Sequence, residues 1–167
     1  QSARVRFTIA HVDTYSGGGD LDTLFKRYAN DINRTLPAYD SGGTFTAIDA
    51  ARGRYRYVFK THLPPGHSRT TTYAVGSQVN RGAFEGQTFT ANTVFDFVPS
   101  GGTPEILAGS TTAQCNQCHD PLTAHGSRRE FRLCTTCHTQ EANAEGESIA
   151  FRVMIHKIHR GVDLPSV

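Results

Sequence analysis

The chain has four cysteines, and all of them lie in two short segments of the form C-x-x-C-H: CNQCH at 115–119 and CTTCH at 134–138. This pattern is typical of covalent haem attachment. Two thiols separated by two residues can each form a thioether with one porphyrin vinyl group, and the next imidazole can then bind the iron. The expected residues are Cys115, Cys118, Cys134 and Cys137 for the thioethers of two haem c groups, and His119 and His138 as proximal iron ligands.

The same spacing also fits a zinc ribbon. Fifteen residues separate Cys118 from Cys134, and C-x₂-C-x₁₅-C-x₂-C is a tetrathiolate pattern. The histidines favour haem, because with eight His in 167 residues chance places one behind both pairs only about once in four hundred. A redox C-x-x-C is typical of a βαβ context, which the sequence does not indicate. A zinc-ribbon structural or binding module therefore stays open as the alternative.

Three more histidines lie in the same C-terminal third and are candidates for the distal axial position: His125, His156 and His159. In the segment 151–160, FRVMIHKIHR, apolar residues at i, i+3, i+4 and i+7 predict a helix. Because His125 follows His119 by six residues, the chain would have to pass around the porphyrin edge to serve the same iron. We expect His125 to bind the second iron or a neighbouring one, and His156 or His159 to bind the first. The remaining histidine either has no ligand role or serves a haem outside this chain.

The runs CNQCHDPLTAHGSRRE, LCTTCHTQ and FRVMIHKIHRGVDLPSV resemble the first two haem segments of the outer-membrane decahaem c-type cytochromes of the OmcA/MtrC type. The stretch from RYRYVFKTHLP to TANTVFDFVPSGG resembles the β domain that precedes the haems in that family. The resemblance spans roughly residues 44–167 and is most specific over 115–167. It implies close-packed haems with two histidine ligands each. His119 and His138 match the proximal positions, and His125, His156 and His159 match the distal ones.

The count of haem motifs departs from the family, since this chain has two and stops at Val167. A fragment or a reduced form of a decahaem protein is therefore expected. The implied partners are other cytochromes or haem modules and extracellular electron acceptors, within an oligomer or a larger haem array.

Composition and charge restrict the function classes. The chain has no apolar run of 18 residues, so no membrane span is expected. The net charge is only +2 and the arginines are scattered, which argues against nucleic acid as a partner. Haem attachment of the c type implies export, to the outer-membrane surface, the extracellular space or the periplasm. Between the two motifs, Arg128, Arg129 and Arg132 form either propionate partners or an ordinary solvated loop.

The first hundred residues read as short strands separated by turns. Three segments alternate apolar with polar residues. Their apolar parities are Val5, Phe7 and Ile9; Tyr55, Tyr57 and Phe59; and Phe89, Ala91, Thr93, Phe95 and Phe97. Such alternation is typical of sheets with one buried face. A helical apolar stripe at Leu21, Leu24, Phe25, Tyr28, Ile32 and Leu36 interrupts them. We predict a mainly β N-terminal domain, a Greek-key sandwich or barrel with one inserted helix, followed by a small, loop-rich, partly helical dihaem domain.

The domain boundary is placed where glycine, proline, serine and threonine replace the aromatics, near residues 99–112. This gives a β domain over 1–110 and a dihaem domain over 111–167. If both irons have two imidazole ligands, one-electron exchange is easy and inner-sphere chemistry is disfavoured. The expected function is that of a multihaem electron carrier and not of a dedicated enzyme. Such a carrier can also act as a terminal reductase of extracellular metals. A haem enzyme or small-ligand sensor with an open iron site is the other alternative.

Overall fold

The structure, a computed structural model, describes residues 3–14, 26–29, 39–40, 42–84, 87–107 and 109–161. Six strands precede the motifs: β1 (Ala3–Thr14), β2 (Lys26–Ala29), β3 (Thr44–Asp49), β4 (Arg54–Val58), β5 (Tyr73–Phe84) and β6 (Gln87–Phe97). Three helices and a small hairpin follow: α1 (Thr112–Cys115), α2 (Phe131–Cys137), β7 (Asn143–Ala144), β8 (Glu147–Ser148) and α3 (Phe151–Arg160). The predicted fold class, a mainly β part followed by a small, partly helical part, is confirmed.

The main sheet is antiparallel with strand order β2-β1-β5-β6, and β3 and β4 form a separate hairpin. In this sheet Ile9 of β1 lies opposite Val75 of β5, which in turn lies opposite Phe95 of β6. These residues share one face of the sheet, which we call the aromatic face. The hairpin lies over this face, because the ring of Phe7 is 4.4 Å from that of Tyr57 and 5.5 Å from that of Phe59.

The more deeply buried face of the sheet is the opposite one. It carries small and polar residues: Thr8, Ala10, Ala74, Gly76 and Gln78 are all buried. On the aromatic face, by contrast, Phe95 is 66% exposed. The alternation predicted sheets with one buried face, and the more deeply buried face is the one with small residues, because α2 packs closely on that side and close packing requires small side chains there.

The prediction of an inserted helix is wrong at the residues of that segment that the structure describes. Lys26–Ala29 form strand β2, in which Ala29 lies opposite His11 of β1. Pairing with β1 satisfies backbone N–H and C=O groups along that strand, and such tertiary pairing can override a helical pattern. The other residues of the stripe, including Leu21, Leu24, Ile32 and Leu36, lie outside the described residues.

The predicted helix over 151–160 is confirmed as α3. Its N-terminal ring, Phe151, packs edge-on against Phe131 at the start of α2, with centroids 5.2 Å apart. None of the helices in the described part of the chain is long and apolar enough to cross a membrane.

Candidate haem-binding site

The first motif lies at the protein surface. Its short helix α1 is capped by Thr111, whose side chain accepts a hydrogen bond from the backbone N–H of Gln114. After Cys115 the chain turns, and the backbone N–H of His119 donates to the carbonyl of Cys115 at 3.0 Å. Cys118 and His119 are both exposed. The local turn therefore organises the backbone of this motif at the surface, with little support from the rest of the fold.

The second motif is buried against the sheet. Cys134 and Cys137 lie on α2, three residues apart, and His138 ends the helix. Burial raises the pKa of the Cys134 thiol to about 11 and also raises the pKa of Cys137. Burial lowers the pKa of His138, despite the opposing hydrogen bond to the carbonyl of Ile149. His138 is therefore neutral at neutral pH, which is the form of imidazole that binds a metal.

A tight turn presents His125. The backbone N–H of Ser127 donates to the carbonyl of Ala124, and Ala124 and Arg128 exchange both backbone hydrogen bonds, at 2.8 and 2.9 Å. The two residues at the tip, His125 and Gly126, have φ of 49° and 78°. Positive φ at two successive positions is typical of a type I′ turn, and His is among the residues that tolerate it. The turn leaves His125 exposed.

The histidines of α3 have fixed ring orientations. The Nδ1 atoms of His156 and His159 lie 2.7 and 2.8 Å from the carbonyls of Arg152 and Ile155, one turn earlier in the helix. His138 forms the same kind of contact, with Nδ1 2.9 Å from the carbonyl of Ile149. An Nδ1–H donated to a backbone carbonyl leaves Nε2 with its lone pair free to bind a metal. All three rings are thus held in a form suited to ligation.

The five histidines of this region form two ring pairs and one single residue. His125 and His138 have ring centroids 6.1 Å apart with their planes 21° from parallel. His119 and His159 have centroids 6.2 Å apart with planes at 88°. An imidazole nitrogen binds a first-row metal at about 2 Å, so adding about 1 Å to each ring centre places two axial imidazoles about 6 Å apart across one metal. Both pairs match that separation.

Polar contacts with the sheet hold the second motif and the turn in place. The buried amide of Gln78 donates to the hydroxyl of Ser127 and accepts from Nε of Arg128 at 3.3 Å. The hydroxyls of Thr8 and Thr136 are 2.9 Å apart and buried. Sequence reasoning missed Gln78, Thr8 and Thr136, because small and polar residues on a strand give no hydrophobic signal. Only the parity that Thr8 and Gln78 share with the other buried residues of β1 and β5 could have indicated these two, and no signal indicated Thr136 on α2.

A second tether joins α2 to the edge of the sheet. Nη2 of Arg132 donates to both carboxylate oxygens of Asp96 at 2.7 Å, and Asp96 is almost fully buried. Nearby, the backbone N–H of Arg129 donates to Oδ1 of Asn92. Of the three arginines between the motifs, Arg132 therefore has a protein carboxylate as partner, which the sequence alone did not reveal.

The surroundings of the two motifs include an exposed helix side that can contact a porphyrin. In the described part of the chain, no cluster of three or more His, Cys, Asp or Glu side chains could hold a metal ion. The apolar side of α3 is accessible for contact with a porphyrin, since Ile158 is 64% exposed and no residue of the helix is buried. The helices that carry the two motifs are also joined directly, since the backbone N–H of Phe131 donates to the hydroxyl of Thr112 at 2.9 Å.

Comparison with known families gives one match. Residues 110–164 match the model of the family described as outer membrane cytochrome MtrC/MtrF-like, domains II/IV. No curated protein and no solved structure matches the chain significantly. The match contains both C-x-x-C-H segments and all three candidate distal histidines, and it confirms the resemblance to the OmcA/MtrC type for this segment.

Proposed function

Because residues 110–164 match the model of the MtrC/MtrF-like outer membrane cytochromes, we propose that the chain is a two-haem module for one-electron transfer. Cys115 and Cys118 hold one haem c, and Cys134 and Cys137 hold the other. The family makes electron transfer the general role. The number of haems, their covalent attachment and their ligands are specific to the proposal.

The two histidine pairs carry this proposal. His119 with His159, and His138 with His125, have the separation that two axial imidazoles need across one iron. When bound, each haem supplies a reversible one-electron couple. The chain keeps both axial positions filled by imidazole, so that electron exchange needs no change of ligand set. His156 is then the spare histidine, available to a haem outside this chain.

The wider role follows from the family. We propose that residues 1–110 form a β domain and 111–167 a dihaem domain of an exported protein at the outer-membrane surface. Electrons pass to other cytochromes or to extracellular acceptors such as metal oxides, with no catalytic residue in the chain itself. The short connection between the motifs favours close haems, since only 15 residues separate Cys118 from Cys134.

The first experiment is visible spectroscopy of the purified protein, oxidised and dithionite-reduced, with pyridine haemochrome quantitation. Two covalent low-spin haems per chain are expected. A high-spin fraction in the wild type would favour a haem enzyme or sensor with an open iron site, and a colourless protein containing zinc would overturn the proposal.

Matched variants test the ligand pairs. His159→Ala should convert one haem from low-spin to high-spin, because it removes the distal imidazole opposite His119. His156→Ala is the control on the same helix and should leave both haems low-spin. The reverse result, with His156→Ala high-spin and His159→Ala unchanged, would contradict the pairing.

A further inference from the structure

The charge distribution around the two motifs is unequal. Arg128 lies at the base of the turn that presents His125, and the sheet holds its side chain in two ways. Its Nε donates to Oε1 of Gln78 at 3.3 Å, and its guanidinium lies over the ring of Tyr39, 5.3 Å from the centroid. Arg6 lies over the same ring at 5.2 Å. A charge held by a buried amide and an aromatic ring has little freedom to move away.

The partners of Arg128 are neutral, which sets it apart from its neighbour. Arg132 is paired with the carboxylate of Asp96, so its charge is largely compensated locally. Within the described residues Arg128 forms no ion pair, and its acceptor is the amide of Gln78, which is 3% exposed. Its positive charge is therefore left uncompensated in a half-buried position.

Arg128 lies close to the second motif. It forms both backbone hydrogen bonds with Ala124 at the base of the turn that presents His125, and the ring of His125 lies 6.1 Å from that of His138. Cys118 and His119 of the first motif lie at the surface, where water screens charges. The two haem positions consequently differ in both burial and electrostatic environment.

We propose that Arg128 sets the reduction potential of the second haem, the one held by Cys134 and Cys137, and makes it the more easily reduced of the two. This rests on the proposed two-haem function. Oxidised haem iron carries one positive charge more than reduced iron, so a fixed cation in a poorly solvated position destabilises the oxidised form. Electrons within this chain then run downhill from the exposed first haem to the buried second one.

Potentiometric titration of the intact holoprotein tests this inference, with Arg128→Gln and Gln78→Glu as the test variants. Arg128→Gln removes the charge. Gln78→Glu keeps Arg128 and places a carboxylate on it, which can still accept the bonds from Arg128 and Tyr39. Each should shift the equilibrium of one haem about tenfold towards the oxidised form, equivalent to a fall of about 59 mV in midpoint potential.

Arg129→Gln is the matched control, because Arg129 is exposed, lies between the same motifs and changes the net charge equally. In this variant the equilibrium between the oxidised and reduced forms of each haem should stay within a factor of two of wild type. The affected haem is identified as the one that remains when Cys115 and Cys118 are both replaced by alanine.

The outcomes separate this inference from the proposed function. If the wild type lacks two haems by pyridine haemochrome, both fail. If two low-spin haems are present and Gln78→Glu leaves both midpoints unchanged, only the role of Arg128 is overturned. Should Arg128→Gln bind fewer than two haems, Gln78→Glu alone decides, since its carboxylate keeps the acceptor for Arg128 and Tyr39 and can accept from the hydroxyl of Ser127 in place of the lost amide donor.

Discussion

The two C-x-x-C-H segments have the same chemistry but different surroundings. The first follows a four-residue helix, and its Cys118 and His119 are exposed. The second lies on a seven-residue helix in which Phe131, Leu133, Thr136 and Cys137 are buried. One motif is organised mainly by its own turn, whereas the other is organised by packing against a sheet of distant residues.

This difference assigns different tasks to the two positions. A buried, pre-arranged ligand set needs little reorganisation when its charge changes, and its environment can be tuned by fixed groups such as Arg128. An exposed motif has little such tuning but is accessible to partners. We therefore expect the first haem to exchange electrons with other molecules and the second to act as the internal acceptor.

Removing each cysteine pair should give the largest effects. Replacing both Cys134 and Cys137 by alanine, or both Cys115 and Cys118, should halve the haem content measured by pyridine haemochrome. Only the loss of the second pair should also lower the melting temperature strongly, because Cys134 and Cys137 lie on α2, which packs against the sheet, whereas the first motif lies at the surface. Equal losses of stability in the two double variants would show that the motifs are equally integrated in the fold.

The next largest effect is expected at Gly76, where β5 passes beneath α2. A Cβ at this position would lie 2.6 Å from Cδ1 of Leu133 and 2.6 Å from Oγ1 of Thr8. Gly76→Ala should therefore cost about 1–3 kcal/mol in the free energy of unfolding, as overpacked cores do. Gly82→Ala is the control on the same strand, since an added Cβ there meets nothing within 4 Å. Chemical denaturation of both variants makes the comparison, and an unchanged Gly76→Ala protein would rule out the close packing.

A smaller effect is expected at the buried hydroxyl pair. Thr8→Val removes the contact between Thr8 and Thr136 but leaves Thr136 donating to the carbonyl of Leu133. The loss should be about 1 kcal/mol, the usual net value of one hydrogen bond. Thr46→Val, at an exposed position of β3, should change the denaturation midpoint very little. If the two variants behave alike, the hydroxyl pair contributes nothing to the attachment of α2.

The smallest effect at neutral pH concerns the hairpin, which lies away from both motifs. Asp40 accepts hydrogen bonds from the hydroxyl of Tyr57 at 2.6 Å and from the backbone N–H of Thr61 at 2.8 Å. Desolvation raises the pKa of Asp40, but these hydrogen bonds together lower it further, so that the pKa lies below its usual value of 3.8. Its contribution to stability is therefore complete above pH 3.8 and is lost as the pH falls through the lowered pKa.

Melting curves between pH 2 and 6 for wild type and Asp40→Asn measure this contribution. Below pH 3.8 the difference in melting temperature between the wild type and Asp40→Asn should become smaller. The haem spectrum should not change until the whole fold is lost. A parallel pH dependence of the two proteins would exclude a role for this carboxylate.

The sequence predicted those features that depend on local spacing. The motif residues follow from the C-x-x-C-H pattern, and α3 follows from the spacing of Phe151, Met154, Ile155 and Ile158. The attachment of α2 could not be predicted, since it depends on a strand face of small and polar residues whose burial arises only on tertiary packing. The helical pattern around Tyr28 failed at Lys26–Ala29 for a related reason, because pairing with β1 outweighs local periodicity.

If the two ring pairs bind two irons as proposed, the angles between the paired rings should give these irons different magnetic properties. Nearly parallel imidazole planes, as for His125 and His138, split the two iron d orbitals that interact with the rings, and this gives a rhombic low-spin electron paramagnetic resonance signal. Perpendicular planes, as for His119 and His159, leave those orbitals almost degenerate and give a strongly anisotropic signal with a large maximal g value. The oxidised protein should therefore show two distinct ferric signals in equal amounts, one from the surface motif and one from the buried motif.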